Sequence, residues 1–84
     1  MTYAISIKQS AAKSLEKISK PDRVRIIEAI DSLKINPGAG SVLKGELKGL
    51  RRIRVGHYRV VYEVEAGRLM ILVVRIGHRG EVYR

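Results

Sequence analysis

The chain has 84 residues, which suits one domain near the lower size limit for folding without covalent staples. It contains no cysteine, which excludes disulfides and thiolate metal ligands, and no Phe or Trp, so its core must be aliphatic with help from four Tyr. Lys plus Arg number 17 against 8 Asp plus Glu, a net charge of +9 on 9.4 kDa, and such a field favours nucleic acid, anionic membrane or an acidic protein as partner.

The membrane option is the weakest of these. No apolar run approaches the ~20 residues that a spanning helix needs. The first eight residues, MTYAISIK, carry neither an apolar signal-peptide core nor a cleavage site, so a cytoplasmic location is expected.

Tyr3, Ile5 and Ile7 alternate with Ala4 and Ser6, as a half-buried strand requires. Ser10 is placed to cap a short amphipathic helix whose apolar positions are Ala11, Ala12, Leu15 and Ile18. Pro21 and Asp22 suit the first turn of a second helix, where proline needs no N–H partner and a carboxylate meets the positive end of the dipole. Its expected apolar stripe is Val24, Ile27, Ile30 and Leu33, with Ile26 beside it, and Asn36-Pro37-Gly38 ends it. So short a connection between the helices predicts an antiparallel hairpin.

Residues 42–50 read as a connector that hugs the sheet and ends in it. From there the pattern is β: strands over Arg51 to Val55, Tyr58 to Glu65 and Arg68 to Ile76, with Gly56-His57 and Ala66-Gly67 at two-residue hairpin spacing. The expected fold is therefore α+β, in the order β-α-α-β-β-β. A helical hairpin packs on one face of a small, largely antiparallel twisted sheet, in a single domain over residues 1–84. Alternation assigns Ile53, Val55, Val60, Tyr62 and Val64 to one face and Arg52, Arg54 and Arg59 to the other. In the last strand Met70, Leu72, Val74 and Ile76 are expected toward the helices, and Leu69, Ile71, Val73 and Arg75 on the opposite face. A sheet covered on one side, with arginines on its open side, is a platform for phosphate.

Walker, Rossmann and HExxH motifs are absent. His57 and His78 lie in turn-like contexts without a carboxylate cluster, so no metal and no cofactor is expected. What remains is a series of cations with one tyrosine near its end: Arg51, Arg52, Arg54, Arg59, Arg68, Arg75, Arg79, Tyr83 and Arg84. Such a set can serve RNA cleavage. The 2′-hydroxyl supplies the nucleophile, and guanidinium groups neutralise charge developing on phosphorus. A tyrosine, ordinarily titrating at about 10, can stack on a base or relay a proton. On composition alone the same residues read sooner as solvated strand and turn positions or as a surface for an acidic partner.

The run LKGELKGLRRIRVGHYRVVYEV over residues 43–64 resembles the central signature of RelE-type toxins, and RIGHRGEVYR over residues 75–84 resembles their C-terminal signature. By these motifs and its element order the chain is similar to the RelE/ParE superfamily of type II toxin–antitoxin toxins, in its RelE-like branch. The resemblance implies a ribosome-dependent, metal-independent endonuclease that cuts mRNA in the ribosomal A site, with the ribosome and mRNA as partners and a cognate acidic antitoxin. By position it implies catalytic roles for Arg52, Arg54, Arg59, Arg79 and Tyr83. Arg59 would stabilise the transition state, and Tyr83 would orient the 2′-hydroxyl and base. Lys44, Lys48, Arg51 and Arg84 would contact the RNA backbone. The chain departs from the best-known members in having arginine where they have lysine at positions 52 and 54, which removes a lysine general base. Two alternatives share the fold: a ParE-like inhibitor of DNA gyrase, and a non-catalytic module that binds an antitoxin or RNA. The presence of both Arg79 and Tyr83 favours the endonuclease.

Overall fold

The computed structural model describes residues 2–78. Strand β1 (Ala4–Ile7) is followed by helices α1 (Gln9–Glu16) and α2 (Lys20–Ser32), then strands β2 (Ser41–Val42), β3 (Arg51–Val55), β4 (Tyr58–Glu65) and β5 (Met70–His78). The sheet order is β1-β5-β4-β3-β2, antiparallel except that β1 runs parallel to β5. The expected α+β class and helical hairpin are present. The expected order lacked β2, and the parallel β1–β5 pair was not anticipated. A parallel pair needs a long crossover, and here α1, α2 and the rest of the sheet supply it.

Helix α1 begins at Gln9, before the expected Ser10 cap. Lys8 closes the strand by donating its N–H to Val73 O at 2.9 Å, while its carbonyl accepts the Ala12 N–H at 2.9 Å. The chain thus passes from strand to helix without a spare residue, and Ser10 falls inside the first turn. In α2, Pro21 and Asp22 sit in the first turn as expected, after Ser19 at the N-cap. The core stripe is Ile26, Ile30 and Leu33, at i, i+4 and i+7. Val24 and Ile27, expected in that stripe, are 43% and 47% exposed. With apolar residues on more than one side of α2, its rotation is set by what it packs against.

One core joins the hairpin to the sheet: Ala11, Leu15, Ile18, Ile26, Ile30 and Leu33 against Val60, Tyr62, Ile71, Val73 and Ile76. Ile53 and Val55 pack on it, as their alternation predicted. Strand β5 corrects the expectation. Val61 pairs with Arg75 but Tyr62 with Val73, so Val74 is an extra residue in a bulge. Parity switches there: Ile71 and Val73 face the core before it and Ile76 after it, in place of an unbroken face of Met70, Leu72, Val74 and Ile76.

The β3–β4 turn at Gly56-His57 has the expected two residues, and Gly56 takes the left-handed φ of +60° that such a turn favours. The β4–β5 loop spans four residues, 66–69, because Ala66–Arg68 form a 3-10 turn that Leu69 closes at a φ of +50°. Beyond α2, the Tyr62 hydroxyl, fully buried, donates to Pro37 O at 2.8 Å and accepts the Gly40 N–H at 2.9 Å. This locks the loop onto β4. Gly40 is obligatory, since a Cβ there would lie 2.6 Å from Arg52 O and 2.7 Å from the Tyr62 hydroxyl.

Candidate nucleic-acid interface

The face of the sheet away from the helices takes its pattern from strand register. Arg52 of β3 pairs with Val61 of β4, which pairs with Arg75 of β5. One step toward the β3–β4 turn, Arg54 pairs with Arg59, which pairs with Gly77. Cross-strand partners point to the same side, so Arg52, Arg54, Arg59 and Arg75 form two adjoining rows. Arg54 and Arg75 are exposed, Arg52 is half-buried, and Arg59 is only 9% exposed. Val61 lies among them and is 1% exposed. Residues two apart on a strand are separated by ~7 Å, so the four guanidinium groups share a small area of surface. The opposite end of the face has a different charge character. Glu63 shares its parity with Val61, and Glu65 sits 3.5 Å from Arg68.

A concavity of about 410 Å³ lies along the β2–β3 side of this face, lined by Ala39, Ser41, Arg52, Ile53 and Arg54. At the turn, Arg54, Gly56, His57, Tyr58 and Arg59 line a smaller one of about 80 Å³. Fixed, planar cations beside shallow concavities suit phosphate, because a guanidinium offers paired donors and does not deprotonate. Among the described residues no group of three or more potential metal ligands forms. Among the same residues no helix is long and apolar enough to cross a membrane.

The expected site residues divide as follows. Arg52, Arg54 and Arg59 are brought together. Arg51 is not with them: it pairs with Tyr62, shares that residue's parity, and donates from Nη1 to Gly40 O at 3.0 Å. It fastens the loop after α2 instead of facing the open side. Lys44 and Lys48 flank the 3-10 turn Gly45–Leu47 between β2 and β3, both exposed, beyond the sheet end opposite His57. Arg79, Tyr83 and Arg84 lie outside the described residues. Arg75, which alternation put on the face away from the helices, joins the set, although it was not named among the site residues.

Residues 5–83 match the family model described as ParE toxin of type II toxin–antitoxin system, parDE. The chain belongs to the RelE/ParE superfamily of type II toxins. This toxin is 31% identical over 84 residues to Toxin RelE of Mycobacterium tuberculosis, a match covering 98% of the chain and 87% of that relative. Its fold superposes on the toxin–antitoxin complex RelBE2 from the same organism with a TM-score of 0.86 at 26% identity, over 94% of this chain and all (100%) of that one. It superposes on the archaeal RelE–RelB complex of Pyrococcus horikoshii with a TM-score of 0.79 at 32% identity, covering 96% and 99% of the two chains. The helical hairpin on a mixed five-stranded sheet is therefore the toxin fold, with the arginine rows on its open face.

Proposed function

We propose that this toxin is a metal-independent endoribonuclease that cuts messenger RNA on the ribosome. The observation that carries the reading is the pairing of Arg54 with the largely buried Arg59, beside Arg52 and Arg75 on an open sheet face. In the reaction the 2′-oxygen loses its proton and bonds to the adjacent phosphorus. The bond to the 5′-oxygen breaks, and that oxygen takes up a proton. The phosphorane between these events carries extra negative charge. Arg59, held in place by its burial, meets that charge without reorganising, which is the condition for large electrostatic stabilisation. Arg52 and Arg54 hold the flanking phosphates and, being permanently charged, do not act as bases. Tyr83 and Arg79, assigned by their positions in the C-terminal motif, orient the 2′-hydroxyl and add charge. Lys44, Lys48 and Arg84 contact the backbone.

With no strong base in this set, most of the rate must come from holding the 2′-hydroxyl in line with the leaving oxygen, and a rigid RNA scaffold supplies that alignment. Restraint falls to an acidic antitoxin, whose association with a +9 chain would be fast and sensitive to salt. Solved relatives bound to their antitoxins support such a partner. The test is to incubate the purified toxin with naked RNA and with programmed ribosomes. Cutting on ribosomes alone, unchanged by EDTA once ribosome integrity is controlled, is the expected result, and equal cutting of both overturns the reading. Tyr83→Phe should abolish single-turnover cleavage while keeping the ring. The match to a ParE family model favours a second reading, gyrase inhibition, which gyrase-linked DNA breaks on pulsed expression would reveal in place of cuts within translated codons.

A further inference from the structure

Beyond the arginine rows, the sheet ends in a cluster of rings to which the proposed chemistry assigns no task. His57, in the β3–β4 turn, and His78, the last residue of β5, bring their rings to 6.2 Å between centroids with planes only 20° apart. Tyr58, paired with His78 in the register, meets the His78 ring edge-on at 5.5 Å and 84°. Tyr58 also packs against the hydrophobic core, so the cluster is anchored from below. Among the described residues the flat rings divide by exposure. Tyr62 is buried, Tyr3 and Tyr58 are half-buried against the core, and only the two imidazoles are exposed.

The surroundings are cationic. Arg54 and Arg59 line one concavity with His57 and Tyr58. Arg25 of α2 lies against the same turn, its guanidinium 3.6 Å from where a Cβ on Gly56 would stand. On the helix side, Lys17 lines a cleft of about 450 Å³ with Ser14, Tyr58 and His78. The rings cap the end of the sheet: His57 shares the turn concavity with Arg54 and Arg59, while His78, opposite in parity to Gly77, lines the helix-side cleft with Lys17. Exposed flat rings with cations on both sides match the two needs of single-stranded nucleic acid: a cationic track for the backbone and a π-face for the base.

We infer that the His57–His78 pair is a stacking platform for one unpaired RNA base, whose adjoining phosphate is held by Arg54 and Arg59. The inference rests on the nuclease reading for its biological setting, but the platform binds RNA whether or not the chain cuts it. Its ligand class is an unpaired nucleobase of either the message or ribosomal RNA. Because the platform uses ring faces, it accepts any base, and its removal should weaken binding without creating a sequence preference.

The experiment measures binding of the full-length toxin to a labelled single-stranded RNA oligonucleotide by fluorescence anisotropy, and separately cleavage on programmed ribosomes. His57→Ala, His78→Ala and the double variant should weaken oligonucleotide binding by roughly tenfold to a hundredfold. His57→Phe and His78→Phe should restore it, and all variants should melt with the wild type because both rings are exposed. An oligonucleotide that keeps its phosphates but lacks bases should bind wild type and double variant alike. On ribosomes, a message abasic at the A-site codon separates the two sources. Loss of the alanine effect assigns the base to the message, and its persistence assigns it to ribosomal RNA. Wild-type affinity in the double alanine variant overturns the inference, and so does failure of phenylalanine to restore binding, which would make the imidazoles carriers of charge or protons. Normal binding effects in a chain that never cuts on ribosomes would sink the nuclease reading and leave the platform standing.

Discussion

The two faces of the sheet alternate along the same strands and answer to different physics. On the helix face Ile26, Leu33, Tyr62, Ile71 and Val73 are at most 1% exposed, and each is held by shape. On the open face, Arg52, Arg54, Arg59 and Arg75 are held by strand register; Arg54 and Arg75 are exposed, and Arg59 is only 9% exposed. In a 9.4 kDa chain without disulfides, the helix face must supply nearly all the stability. The open face is then free to collect like charges, most of which lie outside the core. Mutations on the two faces should therefore separate cleanly into losses of folding and losses of activity.

The largest expected effect is on the covered face. Ile26→Ala removes a fully buried side chain from the centre of the core and should cost about 2–5 kcal/mol of stability. That is a large part of what so small a domain possesses. Chemical denaturation measures it, and cleavage per folded molecule should be unchanged. Arg59→Ala is the counterpart on the open face. Loss of one preorganised charge donor should slow single-turnover cleavage on ribosomes on the order of 100- to 1000-fold, with a modest change in melting. An equal fall in stability would break the separation.

Tyr62→Phe sharpens the comparison where the faces meet. It strips the hydroxyl that accepts the Gly40 N–H and donates to Pro37 O, and should cost about 1–3 kcal/mol by leaving those groups without their partner. With only the Arg51 bond to the Gly40 carbonyl left, the loop beside Arg52 should loosen, read as faster hydrogen exchange at residues 37–42. The smallest effect belongs to Ile27→Gln. With Ile27 at 47% exposure, stability should stay within about 0.5 kcal/mol, whereas a true core stripe through Ile27 would make the cost several times larger.

Much of this arrangement was legible in the amino-acid order wherever apolar and polar residues alternate. In β3 and β4 the pattern Arg-Ile-Arg-Val and Arg-Val-Val-Tyr allowed one assignment of faces, which puts Arg52, Arg54 and Arg59 together. The helical hairpin was equally plain, because Pro21 and Asn36-Pro37-Gly38 mark its boundaries with local backbone chemistry. Charge, the absence of cysteine and the motifs at residues 43–64 and 75–84 carried the family.

Only the tertiary structure decided what depends on pairs of distant segments. Residues 69–74 are apolar at every position, so no alternation marks their faces. The bulge at Val74 arises from how β5 registers against β4; it turns Ile71 and Val73 to the core while leaving Arg75 on the open face. The parallel pairing of β1 with β5 follows from how the hairpin crosses the sheet, and nothing within four residues of strand could announce it. Helix α2 carries apolar side chains on more than one side, and contact with the sheet chose Ile26 over Ile27. Arg51 and Arg52 are neighbours with the same side chain, yet one fastens a loop and the other faces the open side, because successive strand residues point oppositely and the Arg51 side chain is the one that donates to Gly40. His57 and His78 came together in the same way, through the register that sets Tyr58 opposite the end of β5. Local chemistry determined which elements form. Long-range register, a property of two segments at once, determined which of their side chains meet.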